Sequence, residues 1–200
     1  MKVCKLLLAV IGATVLLGAL VSSASARNFQ IDVVSHRATF REVRFILPGS
    51  TTTCEVIIEG SVHNLTMTKV IGSLIGHITR ASISTCATGT AVIQGESLPW
   101  HVRYSGFQGP LPNINSFITH LIDVGWRIRE AGGINCLARS SAAEPVIATH
   151  HRDESNHLTV GLSGTIRSGI ECLGIRVTVA SDSPPVLRRA GSTSISLRLI

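Results

Sequence analysis

The stretch Glu42-Val43-Arg44-Phe45-Ile46-Leu47-Pro48-Gly49-Ser50, followed by Cys54-Glu55-Val56-Ile57-Ile58-Glu59, decides the fold. In the first run Val43, Phe45 and Leu47 share one face while Glu42 and Arg44 turn away. In the second, Cys54, Val56 and Ile58 lie together opposite Glu55 and Glu59. A period of two is the pattern of a half-buried strand. Pro48 lacks a ladder donor and Gly49 permits unusual dihedrals, so the two runs read as strands joined by a turn.

The same period recurs along the chain. Trp100, Val102 and Tyr104 oppose His101 and Arg103, and Val124, Trp126 and Ile128 oppose Arg127 and Arg129. The run 91–94 is expected to pair with the Trp100–Tyr104 strand. Within 62–83, Gly72 and Gly76 count against a helix. Two strands joined near Gly72–Ser73 are expected there, with Ala81–Cys86 carrying the next edge. Val146–Thr149 and the run around Leu158, Val160 and Leu162 are further strands. The run Ile175, Val177 and Val179 could pair with the closing run Ile195, Leu197 and Leu199. About ten to twelve such runs without a helical spacer favour an all-β, single-domain antiparallel β-sandwich or small β-barrel. No fixed-period repeat or long linker divides it.

Residues 1–26 have the three parts of an export signal: Lys2 and Lys5, an apolar stretch from Leu6 to Val21, and Ala24-Ser25-Ala26 as a cleavage pattern. The expected organisation is a signal peptide over 1–26 and a secreted β domain over 27–200. No further apolar run is long enough for a spanning helix. An outer-membrane barrel is disfavoured, since eight aromatics after residue 26 are few for two interfacial girdles. Apolar residues at 44% and charged residues at 15% exclude a disordered chain. Loss of Lys2 and Lys5 lowers the formal charge from +6 to +4 and leaves Lys69 as the one lysine among many arginines. These arginines are scattered in sequence, with Arg188-Arg189 and the alternating Arg127 and Arg129 the densest. Nucleic-acid binding is not expected, because no basic face interleaved with aromatics is legible.

Four cysteines follow residue 26: Cys54, Cys86, Cys136 and Cys172. An even number in an exported chain favours two disulfides. Of the three connectivities, Cys54–Cys86 with Cys136–Cys172 gives one local staple in each half. Zinc ligation is disfavoured by the long spacings and the lack of a Cys-x-x-Cys pair, so no metal or cofactor is expected.

Two constellations could carry recognition or chemistry. Trp100, His101, Arg103 and Tyr104 combine aromatic faces with polar rims and could bind a sugar or apolar ligand. The same spacing also fits one buried sheet face. The second is the polar cluster His150, His151, Asp153, Glu154 and His157, whose plainer reading is a solvated connection between strands. No nucleophile elbow, His-Glu-x-x-His motif or phosphate-binding glycine loop occurs.

The stretch Leu98-Pro99-Trp100-His101-Val102-Arg103-Tyr104, together with Thr53-Cys54-Glu55 and Asn135-Cys136-Leu137-Ala138-Arg139, resembles a family of small secreted actinobacterial proteins with four mature cysteines. The likeness extends over residues 50–200 and implies export and a shared architecture. It implies no catalytic residues.

These readings favour a non-catalytic extracellular or envelope-associated binding or structural protein. Its expected partner is a cell-surface glycan, an anionic polymer or another protein. The alternative is a secreted hydrolase with a spatially assembled His–carboxylate–Ser site built around His150, His151 or Asp153. Strand alternation leaves the oligomeric state open.

Overall fold

The computed structural model describes residues 28–110, 114–129, 133, 135–152, 157–169, 174–189, 195 and 197–199. The expected signal peptide and Cys172, Asp153 and Glu154 lie outside the described residues.

Eight antiparallel strands close into a barrel. In chain order they are β2 (Ser35–Leu47), β3 (Ser50–Val62), β5 (Leu74–Cys86), β7 (Trp100–Gln108), β8 (Ser116–Ile122), β11 (Val146–Arg152), β12 (Leu158–Arg167) and β13 (Arg176–Ser181). The order around the wall is β11-β12-β13-β2-β3-β5-β7-β8, and β8 returns to β11 to complete the ring. Six shorter strands form two three-stranded sheets. One is β14 (Leu197–Leu199), β1 (Asn28–Ile31) and β4 (Thr66–Thr68); the other is β10 (Asn135–Arg139), β9 (Gly125–Arg129) and β6 (Thr90–Ile93).

Of the two architectures open to the sequence, the closed barrel is the one formed. The alternating runs supply its wall. On β2, Ala38, Phe40, Val43, Phe45 and Leu47 are buried, and on β3 Thr52, Cys54, Val56, Ile58 and Val62 are. An eight-stranded barrel has an interior just wide enough to be filled by side chains. Here apolar residues fill it, while Arg37, Arg41, Glu55 and Glu59 sit on the outer side. A lipid-spanning barrel has the reverse arrangement.

Curvature comes from irregularities in the three 13-residue strands. The β2–β3 register slips between Phe40 and Val43, and β3–β5 slips between Cys54 and Val56 and between Glu59 and Gly60. Such bulges bend and twist a strand. At Gly60 a β-carbon would stand 2.5 Å from the His77 carbonyl oxygen, and one on Gly76 would collide with the Ser61 carbonyl. The close approach of β3 and β5 therefore requires glycine at both positions.

Each small sheet sends an aromatic plug toward one end of the barrel. Phe29 on β1 lies 5.8 Å from Tyr104 and 5.8 Å from Phe117, centroid to centroid. Trp126 on β9 lies 5.1 Å from Phe45 and 6.1 Å from Trp100. All six rings are buried. Trp100 Nε1 donates to Ser97 Oγ at 2.9 Å, so the indole enters the core with its polar atom satisfied.

The predicted Cys54–Cys86 bridge is formed, joining facing residues of β3 and β5. Cys136 is fully buried and disulfide-bonded. Three sequence expectations about neighbours need correction. The 91–94 run, β6, pairs with β9 and not with β7. Ala81–Cys86 is no separate edge but the end of β5, which runs unbroken from the turn at Gly72. The two closing runs do not pair with each other: β13 lies between β12 and β2, and β14 adds to β1. In every case the alternation identified the strand correctly, but a period of two specifies a face and not a neighbour.

Candidate functional site

A break in the barrel wall builds the strongest candidate site. The β13–β2 ladder ends at Ser181 opposite Val43, with one last bond from the Asp182 amide to the Glu42 carbonyl at 3.3 Å. The chain then swings toward β12, where Pro185 accepts from the Val160 amide at 3.0 Å and Leu187 donates to the Leu158 carbonyl at 2.7 Å. It rejoins β2 at Arg188, whose backbone exchanges both hydrogen bonds with Arg37 at 2.7 and 2.9 Å. Between these two junctions β2 carries its bulge. The gap is an open groove of about 640 Å³ lined by Arg37, Thr39 and Arg41 on one side and Pro185, Arg188 and Arg189 on the other.

Local rules aim these side chains. Ala38 and Phe40 face inward, so Arg37, Thr39 and Arg41 must face out. Leu187 is buried and anchors the facing segment, leaving Arg188 and Arg189 at the surface. Four guanidinium groups thus line one groove, and among the described lining residues there is no carboxylate and no aromatic ring. Arg37 also pairs with Glu59 on β3 at 3.2 Å, and Arg80 approaches the other oxygen of that carboxylate at 3.8 Å. A second depression of about 370 Å³, shared through Arg37, continues past Glu59 and Arg80.

The sequence-predicted residues fall elsewhere. Trp100 and Tyr104 are core residues at 1% and 3% exposure, so they offer no stacking surface. Burial pushes the Tyr104 phenol up. His101 and Arg103 point outward from the same strand. His101 Nδ1 lies 2.9 Å from an Asp123 carboxylate oxygen, and Arg103 Nη1 donates to the Gly72 carbonyl at 2.9 Å. The structure therefore splits this quartet between the core and the outer wall.

His101 belongs to a row that sequence spacing did not reveal. His77 sits opposite it on β5, with ring centroids 5.1 Å apart, and the His63 ring lies tilted against His77 at 4.8 Å. His63 Nε2 and His77 Nδ1 are 3.0 Å apart, so one ring donates to the other. Desolvation, then the neighbouring imidazoles, holds the His77 pKa below its ordinary value. Among the described residues no group of three or more His, Cys, Asp or Glu is arranged to hold a metal ion.

The polar cluster is also divided. His150 follows Val146 and Ala148 on the inward face of β11, whereas His151 is exposed and His157 opens the approach to β12. His150 stacks on Phe117 with centroids 4.2 Å apart, and its Nε2 lies 3.0 Å from Thr119 Oγ1. His36, at the inward face of β2, is its electrostatic neighbour. The Nδ1 atoms of both rings are buried without a hydrogen-bond partner among the described residues. Desolvation pushes His36 down to about 4, partly offset by a backbone hydrogen bond at Val34. It pushes His150 down to about 3, with the His36 and His151 charges adding to the effect. Both are partly buried, inward-facing imidazoles that are neutral near pH 7.

A hydrolytic triad needs a base whose second nitrogen is held by a carboxylate. His150 has a hydroxyl neighbour but, among the described residues, no carboxylate on Nδ1. His101 has its carboxylate, but among the described residues no serine or threonine hydroxyl bonds to it.

No family model matches the chain, and no curated protein or solved structure matches it. What the molecule does must therefore be read from its own surface. Among the described residues the arginine groove brings four side chains of like charge together from opposite ends of the sequence.

Proposed function

We propose that this is a non-catalytic, envelope-facing binding protein whose arginine groove grips the phosphate or carboxylate groups of an anionic surface polymer. The convergence of Arg37, Arg41, Arg188 and Arg189 on one groove carries this reading. Guanidinium is planar, always charged and able to form paired hydrogen bonds to either oxyanion. An open groove suits a chain that passes through better than a small molecule that must be enclosed. No aromatic ring stands among the described lining residues, which disfavours single-stranded nucleic acid, held largely by stacking. Export and residence outside the cytoplasm remain part of the proposal. The leader pattern supports them, and the Cys54–Cys86 bridge fits an oxidising compartment.

The test is titration of the oxidised protein with polyphosphate and with a uronic-acid polysaccharide across a range of salt. Binding should weaken steadily as salt rises, because the contacts are exposed charges. Replacing Arg41 and Arg189 together by Gln should weaken it about tenfold, at roughly 0.5–1 kcal/mol per exposed charge contact. Unchanged affinity in that variant, or no binding to either polymer at low salt, would overturn the proposal.

A further inference from the structure

Among the described residues six large apolar side chains are exposed, and five of them, Val34, Leu65, Val70, Ile71 and Leu74, gather at one rim of the barrel. The backbone explains the gathering. Ile31 donates to the Leu65 carbonyl at 2.8 Å and Val62 to the Val34 carbonyl at 2.9 Å, which ties both segments to the same end as the Phe29 plug. Val70 and Ile71 project farthest, at 63% and 76% exposure. They occupy the first two positions of a tight turn closed by the Ser73 amide on the Val70 carbonyl at 3.1 Å. Gly72 sits at the third position with φ of 82°, as a type II turn requires.

This turn is held firmly. Gly72 donates to the Tyr104 carbonyl at 2.7 Å, Tyr104 donates back to Ser73 at 2.9 Å, and the Arg103 guanidinium holds the Gly72 carbonyl. Two β-branched side chains are thus presented to solvent on a braced, convex apex. Two cationic groups flank them. The Lys69 ammonium lies over the Phe29 and Phe107 rings at 5.5 and 5.9 Å, and Arg103 is exposed beside the turn. No Asp or Glu occurs between Glu59 and Glu96; Asp32 is the single carboxylate in the adjoining 28–35 segment.

We infer that this rim docks on an anionic lipid bilayer, with Val70 and Ile71 entering the interface and Lys69 and Arg103 meeting headgroup phosphates. A convex apolar apex cannot enclose a ligand, but it can enter a deformable apolar phase. Cations just behind it match a negatively charged surface. The inference is independent of the arginine groove, which lies on the side wall along β2.

The test is vesicle flotation of the full protein, purified under oxidising conditions with its N-terminus determined. One vesicle set is phosphatidylcholine alone; the other contains phosphatidylglycerol. The protein should partition onto the anionic vesicles preferentially. The double variant Val70→Ser, Ile71→Ser should partition at least tenfold less, because two apolar side chains no longer leave water on docking. Because both positions are exposed, that variant should fold normally and bind anionic polysaccharide as before, which separates this inference from the groove. Trp100 and Trp126 are buried, so Ile71→Trp adds an interfacial reporter, whose emission should shift to the blue and be quenched by brominated lipid. Equal partitioning of the parent and the double serine variant would overturn the inference. So would a parent that ignores anionic vesicles, or sedimentation showing a dimer that the serine pair abolishes, since a second copy would then cover the rim.

Discussion

Acidification should unfold this protein through its core before its surface carboxylates protonate. His36 and His150 face the barrel interior and are neutral in the native state, with pKa values pushed down to about 4 and about 3. In the unfolded chain both return to about 6.5. Between the native and unfolded values the unfolded chain binds more protons, so stability falls as pH falls. Their contribution is fully present above pH 6.5 and is lost as pH drops toward the native values. At pH 5 the unfolded imidazoles are almost fully protonated while the native ones are not. Each group then costs roughly 2 kcal/mol relative to pH 7, or about 4 kcal/mol together. That is a large part of an ordinary domain's stability. The assay is urea unfolding of the oxidised protein at pH 7 and pH 5, with far-ultraviolet circular dichroism as readout. His150→Phe keeps an aromatic ring against Phe117 and should remove roughly half of the pH dependence, whatever its effect at pH 7. Equal stability at pH 5 and pH 7, or an unchanged pH dependence in His150→Phe, would refute the reasoning.

The remaining predictions concern the supports of the barrel. Replacing Cys54 and Cys86 together by Ala frees a 32-residue separation and should cost about 4 kcal/mol in the chain-entropy account, read as a lower urea midpoint. Phe29→Ala removes the plug packed on Tyr104 and Phe117 and should cost about 3–5 kcal/mol, whereas Val92→Ala on an exposed face should change stability by less than about 0.5 kcal/mol.

The wall of the barrel was legible because alternation is local. β2, β3, β7 and β9 could each be drawn from their own residues, and so could the inward aim of Cys54 that sets up its bridge. Neighbour choice was not legible, since β6 shows the same alternation whether it lies against β7 or β9. His150 could have been read better. The parity of Val146 and Ala148 already points it inward, but its charged neighbours made the stretch look like a solvated connection. Trp100 and Tyr104 had the periodicity of a buried face, and burial is where the structure puts them. The groove left only a partial sequence signal, because the Arg188-Arg189 pair stood out but nothing linked it to Arg37 and Arg41. Arg37 and Arg41 lie near one end of the chain and Arg188 and Arg189 near the other, and only the return of residues 182–188 to β2 brings them together. The histidine row is likewise a product of cross-strand register, one ring from each of three neighbouring segments.

Arginine footprinting tests the central claim most directly. The oxidised protein is treated with phenylglyoxal, with and without polyphosphate, and each site is quantified by mass spectrometry. The account predicts that the polymer protects Arg37, Arg41, Arg188 and Arg189 while the exposed Arg129 and Arg139 on β9 and β10 modify at their original rate. Uniform protection of all six, or protection that spares the groove, would contradict it.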